Sequence, residues 1–341
     1  MRDIVLVRHL QKQGTTLALE DRLIHPRSPL RSALLSNLFP AMPGVSTFIL
    51  NFTDENGCYQ GLAQTRTRPG RPEQDVVFMA PALEYGNGSH AIWQRLLTHL
   101  CIKAGEAGHQ RIYAHLKADS DALQIFKNVG FSAYAEETIF RWEADSAPEP
   151  VPPLTLRRQT AADSWSLQRL YAAVTPHAVQ LAEGLAQGQW HINNYLLAGQ
   201  GHRYGYVWES QGEILAVLNV HSGKGGHWFR LMIHPDASDM AAPLLSAGLR
   251  QLNRKPHQPV YCNLRTYHSD LTTHLRACGF QPVASQMVLV KHTTVRTKEF
   301  LTRLLPAFDS AVEAKHAAPT AVLHTASLSS PQNGGGHSGG G

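Results

Sequence analysis

Hydrophobic positions along this chain change period in a regular order, and the order occurs twice. Near the start, Val5 and Val7 alternate with other residues and predict an opening strand. Residues 10–38 carry helical or irregular patterning broken by Pro26 and Pro29. Phe48–Phe52 and Tyr59–Thr65 read as strands joined at the turn signal Asn56-Gly57. Asp75–Ala80 is a fourth strand. A glycine-containing loop follows, then a helix whose apolar rows are Ile92, Leu96, Leu100 and Trp93, Leu97, Cys101. Arg111–Leu116 predicts a fifth strand. Ser120 is placed to cap a helix carrying Ala122, Ile125, Phe126 and Val129, Gly130 is placed to end it, and two final strands are expected from Phe131 onward.

The second pass repeats this plan. Ser120-Asp121 and Gly130-Phe131 recur 149 residues later as Ser269-Asp270 and Gly279-Phe280. Val5–Arg8 aligns with Leu154–Arg157 at the same interval, and Ile139-Phe140 with Val288-Leu289. Trp165–Tyr171 predicts a helix, and Tyr206–Trp208 and Ile214–Val220 flank a turn at Gln211-Gly212. His227–Ile233 is the fourth strand, Leu244, Leu245, Leu249 and Leu252 the inner face of a helix, and Val260–Leu264 the fifth strand. Ser269 caps the next helix in this reading. A period this long indicates two copies of a domain, since solenoid repeats run at roughly 20–50 residues. The alternation of strands and helices predicts an α/β fold in which each copy is a mixed, mostly antiparallel twisted sheet flanked by helices.

Residues 143–153, with four prolines and three acids, predict an extended linker. The expected division is a first domain over 1–145, a linker over 146–153, a second domain over 154–295, a C-terminal helix over 296–316 and a disordered tail over 317–341. At 341 residues with 43% hydrophobic and 17% charged residues, each copy can bury a core. The net charge of +5 arises from 31 basic and 26 acidic residues without a like-charge run, so neither a nucleic-acid nor a membrane partner is expected. The most basic stretch, Arg66, Arg68 and Arg71, reads as an exposed hairpin flank. The 19 histidines lack metal-site spacing. Cys58, Cys101, Cys262 and Cys278 form no close pair; they fit reduced residues and a cytoplasmic location. The N-terminus lacks a signal-peptide pattern.

Two stretches, Val76–Leu100 and Ile112–Phe131, resemble the GNAT superfamily of N-acetyltransferases, and the element order extends the resemblance over both copies. Membership implies an acyl-CoA-dependent N-acyltransferase that takes acetyl-CoA as cosubstrate and a small-molecule or peptide amine as acceptor. The family's loop binds pyrophosphate through backbone amides at a helix start, where the helix dipole adds attraction. It aligns with Leu83-Glu84-Tyr85-Gly86-Asn87-Gly88, followed by Ser89, with Leu83 in place of the usual Arg or Gln. The coenzyme residues the resemblance implies are Met79, Ala80, Leu83, Tyr85, Gly86, Asn87, Gly88, Ser89 and Phe126. In the second copy His234–Pro243 holds no glycine and carries Asp236 and Asp239, so that copy is expected to keep the fold without the cofactor. Pro243 suits a first helical position there.

The family's acid, a tyrosine, corresponds to Phe126 and Leu275, neither of which donates a proton. Its asparagine corresponds to Asp119 and His268. His115, at the end of the fifth strand, is the candidate catalytic acid or base. Glu84 or Asp75 could relay a proton, and Tyr113 is either a site or a core residue. A non-catalytic binding or scaffold protein built of two degenerate GNAT-like domains is the alternative. A Fem-type aminoacyl transferase, also a tandem of this fold, fits the charge balance less well.

Overall fold

The computed structural model describes residues 2–38, 44–54, 57–68, 70–85, 88–143, 154–184, 201–252 and 258–293. The expected linker over 146–153, the helix over 296–316 and the tail over 317–341 lie outside them, as do Asn56, Gly86 and Asn87.

The chain opens on a helix, α1 (Arg2–Leu10), where a strand was expected. Val5 is 70% exposed while Val7 and Leu10, three positions apart, are buried against Leu62, Phe78 and Ala80. That spacing is helical; on a strand Val5 and Val7 would share a face. A two-residue strand β1 (Thr15–Thr16), α2 (Leu19–Ile24) and α3 (Pro29–Leu38) follow. Pro29 stands at the first helical position, where its missing N–H costs nothing. The hairpin β2 (Val45–Asp54) and β3 (Gly57–Thr67) pairs down to Asp54 opposite Gly57. Then come β4 (Glu73–Ala80), α4 (Ser89–Glu106), β5 (Arg111–Lys117), α5 (Ala122–Asn128) and β6 (Ser132–Trp142). The Ser120 hydroxyl accepts the Ala122 N–H at 3.2 Å, and Gly130 closes α5 at φ +91°, a conformation that favours glycine.

The second half runs β7 (Arg157–Arg158), α6 (Ser164–Val174), α7 (His177–Glu183), β8 (His202–Ser210), β9 (Glu213–Ser222), β10 (His227–Ile233), α8 (Ala241–Gln251), β11 (Val260–Arg265), α9 (Thr272–Ala277) and β12 (Phe280–His292). Gln211 and Gly212 both take positive φ, the two-residue turn expected between β8 and β9. Ser269 does not cap α9 with its side chain; it lies in a 3₁₀ turn, Thr266–Leu271, that leads into the helix.

One final strand per half replaces the expected pair, and the halves exchange them. The 12-stranded sheet has the order β2-β3-β4-β5-β12-β6-β11-β10-β9-β8-β7, with β1 paired to β4. Thus β12 lies beside the first half's β5, with Leu289 opposite Ala114, and β6 lies beside the second half's β11, with Phe140 opposite Cys262. Leu289 completes the core formed by α4, α5 and β5, while Phe140 completes the core formed by α8 and β11. The two strands also pair antiparallel with each other. Each half therefore owes a central strand to the other.

This exchange changes what cleavage should do. A protease site introduced within 144–153 should yield two fragments that co-elute at the intact mass in native size exclusion and separate only in denaturant. Separate elution without denaturant would show that the halves fold independently.

Candidate functional site

Strands β4 and β5 pair in parallel from Glu73 opposite Arg111 to Val76 opposite Ala114, and then part. The chain itself enters the gap. Thr15 and Thr16 pair antiparallel with Met79 and Phe78, the Leu17 N–H donates to the Val77 carbonyl at 3.1 Å, and the Ala82 N–H donates to the Gln13 carbonyl at 2.7 Å. Met79 and Ala80, implied at the coenzyme by the resemblance, are fully buried, and the strand edge at Met79 is already paired. A ligand can pair with that edge only if β1 leaves.

The turn after β4 is better suited to an anion. Leu83–Tyr85 form one 3₁₀ turn. Leu83 packs against the core, Tyr85 is exposed and Ser89 is buried. Gly88 is the N-cap of α4 at φ +100°, and a Cβ there would meet the Tyr59 ring at 2.8 Å. Its carbonyl accepts the Ile92 N–H at 3.0 Å. Among the described residues no side chain caps the helix and no acceptor takes the amides of Ser89, His90 or Ala91. Open first-turn amides and the dipole of an 18-residue helix favour negative charge at this point.

Phe126 is fully buried, with ring centroids 4.9 Å from Phe131 and 6.4 Å from Trp93. It is a core residue of α5, as Leu275 is of α9. Asp119 is exposed and pairs with Lys117 at 3.0 Å.

His115 is the first β5 residue beyond the last β4 pair. Ile112, Ala114 and Leu116 alternate with it and face the α4–α5 core, so His115 lies on the opposite face of the sheet. It makes no hydrogen bond among the described residues. Burial lowers its pKa against the opposing pull of Glu137 and Asp75, leaving a neutral imidazole at pH 7.

The other proton-relay candidates are committed elsewhere. Arg68 grips Asp75 with Nε at 3.1 Å and Nη2 at 2.6 Å. Burial alone would raise the Asp75 carboxyl, but the Arg68 charge and hydrogen bonds, aided by Arg66 and His115, bring it to about 2. Tyr113 is a core residue: its hydroxyl donates to the carbonyls of Ala182 and Glu183, and burial, with the Glu73 charge, pushes it up to about 12. Glu84 is exposed. The arginines read as an exposed flank are also paired, Arg66 with Asp21 at 2.8 Å, Arg68 with Asp75, and Arg71 with Glu73 at 2.9 Å. The carboxylate that pairs with Arg66 comes from α2, 45 positions away, whereas those of Arg68 and Arg71 come from the neighbouring β4.

Sequence reasoning missed a polar seam across the two halves on the His115 face. Arg265 of β11 binds Glu137 of β6 at 3.2 Å and also Glu183 of α7. Gln286 of β12 donates to Glu137 at 2.8 Å, and Tyr171 donates to Glu183 at 2.7 Å. Burial pushes both carboxyls up; the Arg265 guanidinium, with the neighbouring donors and charges, outweighs it and holds each below the usual carboxylate range. A second chain starts at Glu20 of α2. It meets His221 Nδ1 at 2.6 Å and Arg230, and His221 Nε2 lies 2.7 Å from His25 Nε2.

In the second half β10 and β11 pair to Arg230 opposite Asn263 and then part, and no described segment pairs with β10 in that gap. The turn beyond it is a 3₁₀ segment, Pro235–Met240, in which Pro235, rather than Pro243, opens the helix. The Ala237 and Ala241 amides donate to His234 and Ser238 within that turn. Among the described residues the first half thus has a turn with open amides and a filled gap; the second has an unpaired gap edge and a turn occupied by its own hydrogen bonds.

Among the described residues no group of three or more His, Cys, Asp or Glu could hold a metal ion, and no helix is long and apolar enough to cross a membrane. No model of a known protein family matches the chain, and no curated protein does. Solved structures do. A tandem GNAT protein from the clavulanic acid biosynthesis pathway is 14% identical over 85% of this chain and 95% of its own, with a TM-score of 0.47. A GCN5-related N-acetyltransferase from Sphaerobacter thermophilus is 13% identical over 82% and 95%, at 0.45. Another, from Kribbella flavida, is 10% identical over 76% and 93%, at 0.42. The chain is similar to GNAT acetyltransferases, a tandem member among them.

Proposed function

We propose that the protein is an acyl-CoA-dependent N-acyltransferase, transferring acetyl from acetyl-CoA to a small-molecule or peptide amine. The observation that carries this reading is the start of α4 at the parted end of β4 and β5, where three amides after Gly88 have no acceptor among the described residues. Gly88 and Ser89 would hold the pyrophosphate together with the adjoining turn. The reaction needs a neutral amine, and His115, neutral at pH 7 and past the end of the β4 pairing, is the candidate base. Bound acetyl-CoA would supply the activated acyl group.

A second reading, binding without turnover, is favoured by the paired Thr15-Thr16 in the gap and by the two apolar core residues at the acid position. One set of measurements separates the readings. Because the halves share strands, the full chain is used. Acetyl-CoA should bind by calorimetry, and Gly88→Glu should abolish binding by placing a carboxylate at the open amides. Thiol release over a panel of small amines, aminoglycosides and peptides should be seen in the wild type. His115→Ala should lower kcat by about 10²–10⁴-fold, the usual value of general acid–base help, with little change in coenzyme affinity. Binding without thiol release supports the second reading, and no binding at all rejects both.

A further inference from the structure

A small, partly open cleft lies on the face of the first half opposite α4, between β3, β4 and the segment that joins α2 to α3. Asp21, His25, Arg27, Gln64 and Arg66 supply its polar lining, and Phe78 and Val77 its apolar floor.

The charges in this cleft do not balance. Asp21 is committed to Arg66, through contacts of 2.8 and 2.9 Å. Arg27 has no such partner: no described carboxylate lies within ion-pairing distance, and its buried Nε makes no hydrogen bond. Arg203 of β8, exposed and outside the cleft lining, adds a further positive charge that reaches Arg27. Arg230 shares Glu20 with His221. The cleft lining thus carries two guanidinium groups, Arg27 and Arg66, against the one carboxylate of Asp21, with Asp75 also acting on Arg66. His25 adds no positive charge, because burial, with His221 and Arg27 nearby, lowers it to about 4. Leaving a guanidinium half-buried beside another one is costly unless an anion completes the set.

We infer that this cleft binds the carboxylate or phosphate group of a small ligand, with Arg27 as the principal contact. The pyrophosphate site proposed at α4 lies on the other face of β4, so the two sites are separate and stand or fall independently. Carboxylate and phosphate present the same charged oxygens to a guanidinium, and the two probes below distinguish them.

The test uses the full chain at constant ionic strength, with chloride as the balancing anion. Inorganic phosphate and acetate are titrated separately while thermal unfolding is followed. One of them should raise the midpoint saturably, and which one does so identifies the group. Arg27→Gln should weaken that response about ten- to a hundredfold, the worth of one charge-assisted contact. It should also raise the midpoint in chloride alone, since an unpaired buried charge is removed. Arg27→Lys should retain part of the response, and Gly88→Glu all of it. The inference is overturned if neither probe shifts the midpoint, if Arg27→Gln responds like the wild type, or if Gly88→Glu alone removes the response. Should Arg27→Gln fail to fold, Arg27→Lys decides: an undiminished response with either probe at every concentration rejects Arg27 as the contact.

Discussion

Replacing Arg265 by methionine is expected to destabilise the protein by about 3–5 kcal/mol, the cost of leaving a buried charge uncompensated. Methionine keeps much of the apolar stem and removes only the guanidinium. Glu137, 2% exposed, then retains Gln286 as its donor among the described residues, and Glu183 retains its tyrosine donors. The loss should depend on pH. In the fold both carboxyls lie below their ordinary value of 4.5, so their stabilising contribution is present above that value. It is lost as pH falls through the folded values. Urea denaturation should therefore show the full gap between wild type and Arg265→Met near pH 7, narrowing as pH falls below 4.5. A gap independent of pH would mean that Arg265 acts through packing. Adding Glu137→Gln to Arg265→Met should recover part of the stability at pH 7, because the stranded charge is gone.

The same cluster shows why the seam was illegible in the sequence. Its members come from β6, α7, β11 and β12, and their partners lie 128, 82 and 149 positions apart. Glu20 and His221 are separated by 201 positions. Local periodicity reports which face of an element is apolar; it carries no information on which distant element that face will meet. For the same reason Phe131 onward and Phe280 onward were legible as strands, while their exchange between halves was not. The hairpins, α4 and α5 were legible because amphipathic rows and turn residues agree over many positions. In α1 the apolar run is short, and a strand alternation and a helical face share Val7. The glycine turn before α4 could be found from its place between a strand and a helix. Thr15-Thr16 could not, since two residues have no period. It is this pair that alters the reading of Met79 and Ala80, from residues open to a coenzyme to residues paired within the chain.

Phe126 is expected to respond as a core ring and not as a site residue. Phe126→Ala should cost about 3–5 kcal/mol, because the cavity would lie among Trp93, Phe131 and the rest of the first core. Phe126→Tyr is the sharper test. At the position of the family's proton donor, a tyrosine resembles a restored acid. Here the ring is fully buried, and an added hydroxyl would have to find a partner inside an apolar cluster. Without one, its desolvation costs about 1–3 kcal/mol. Urea denaturation should therefore place the stabilities in the order wild type, Tyr, Ala. Coenzyme affinity, measured well below the unfolding transition, should be the same for wild type and Phe126→Tyr, and thiol release should not increase. A gain in turnover for Phe126→Tyr without loss of stability would mean that the ring reaches the reacting groups. The acid would then have to be sought on α5, on the face of the sheet opposite His115.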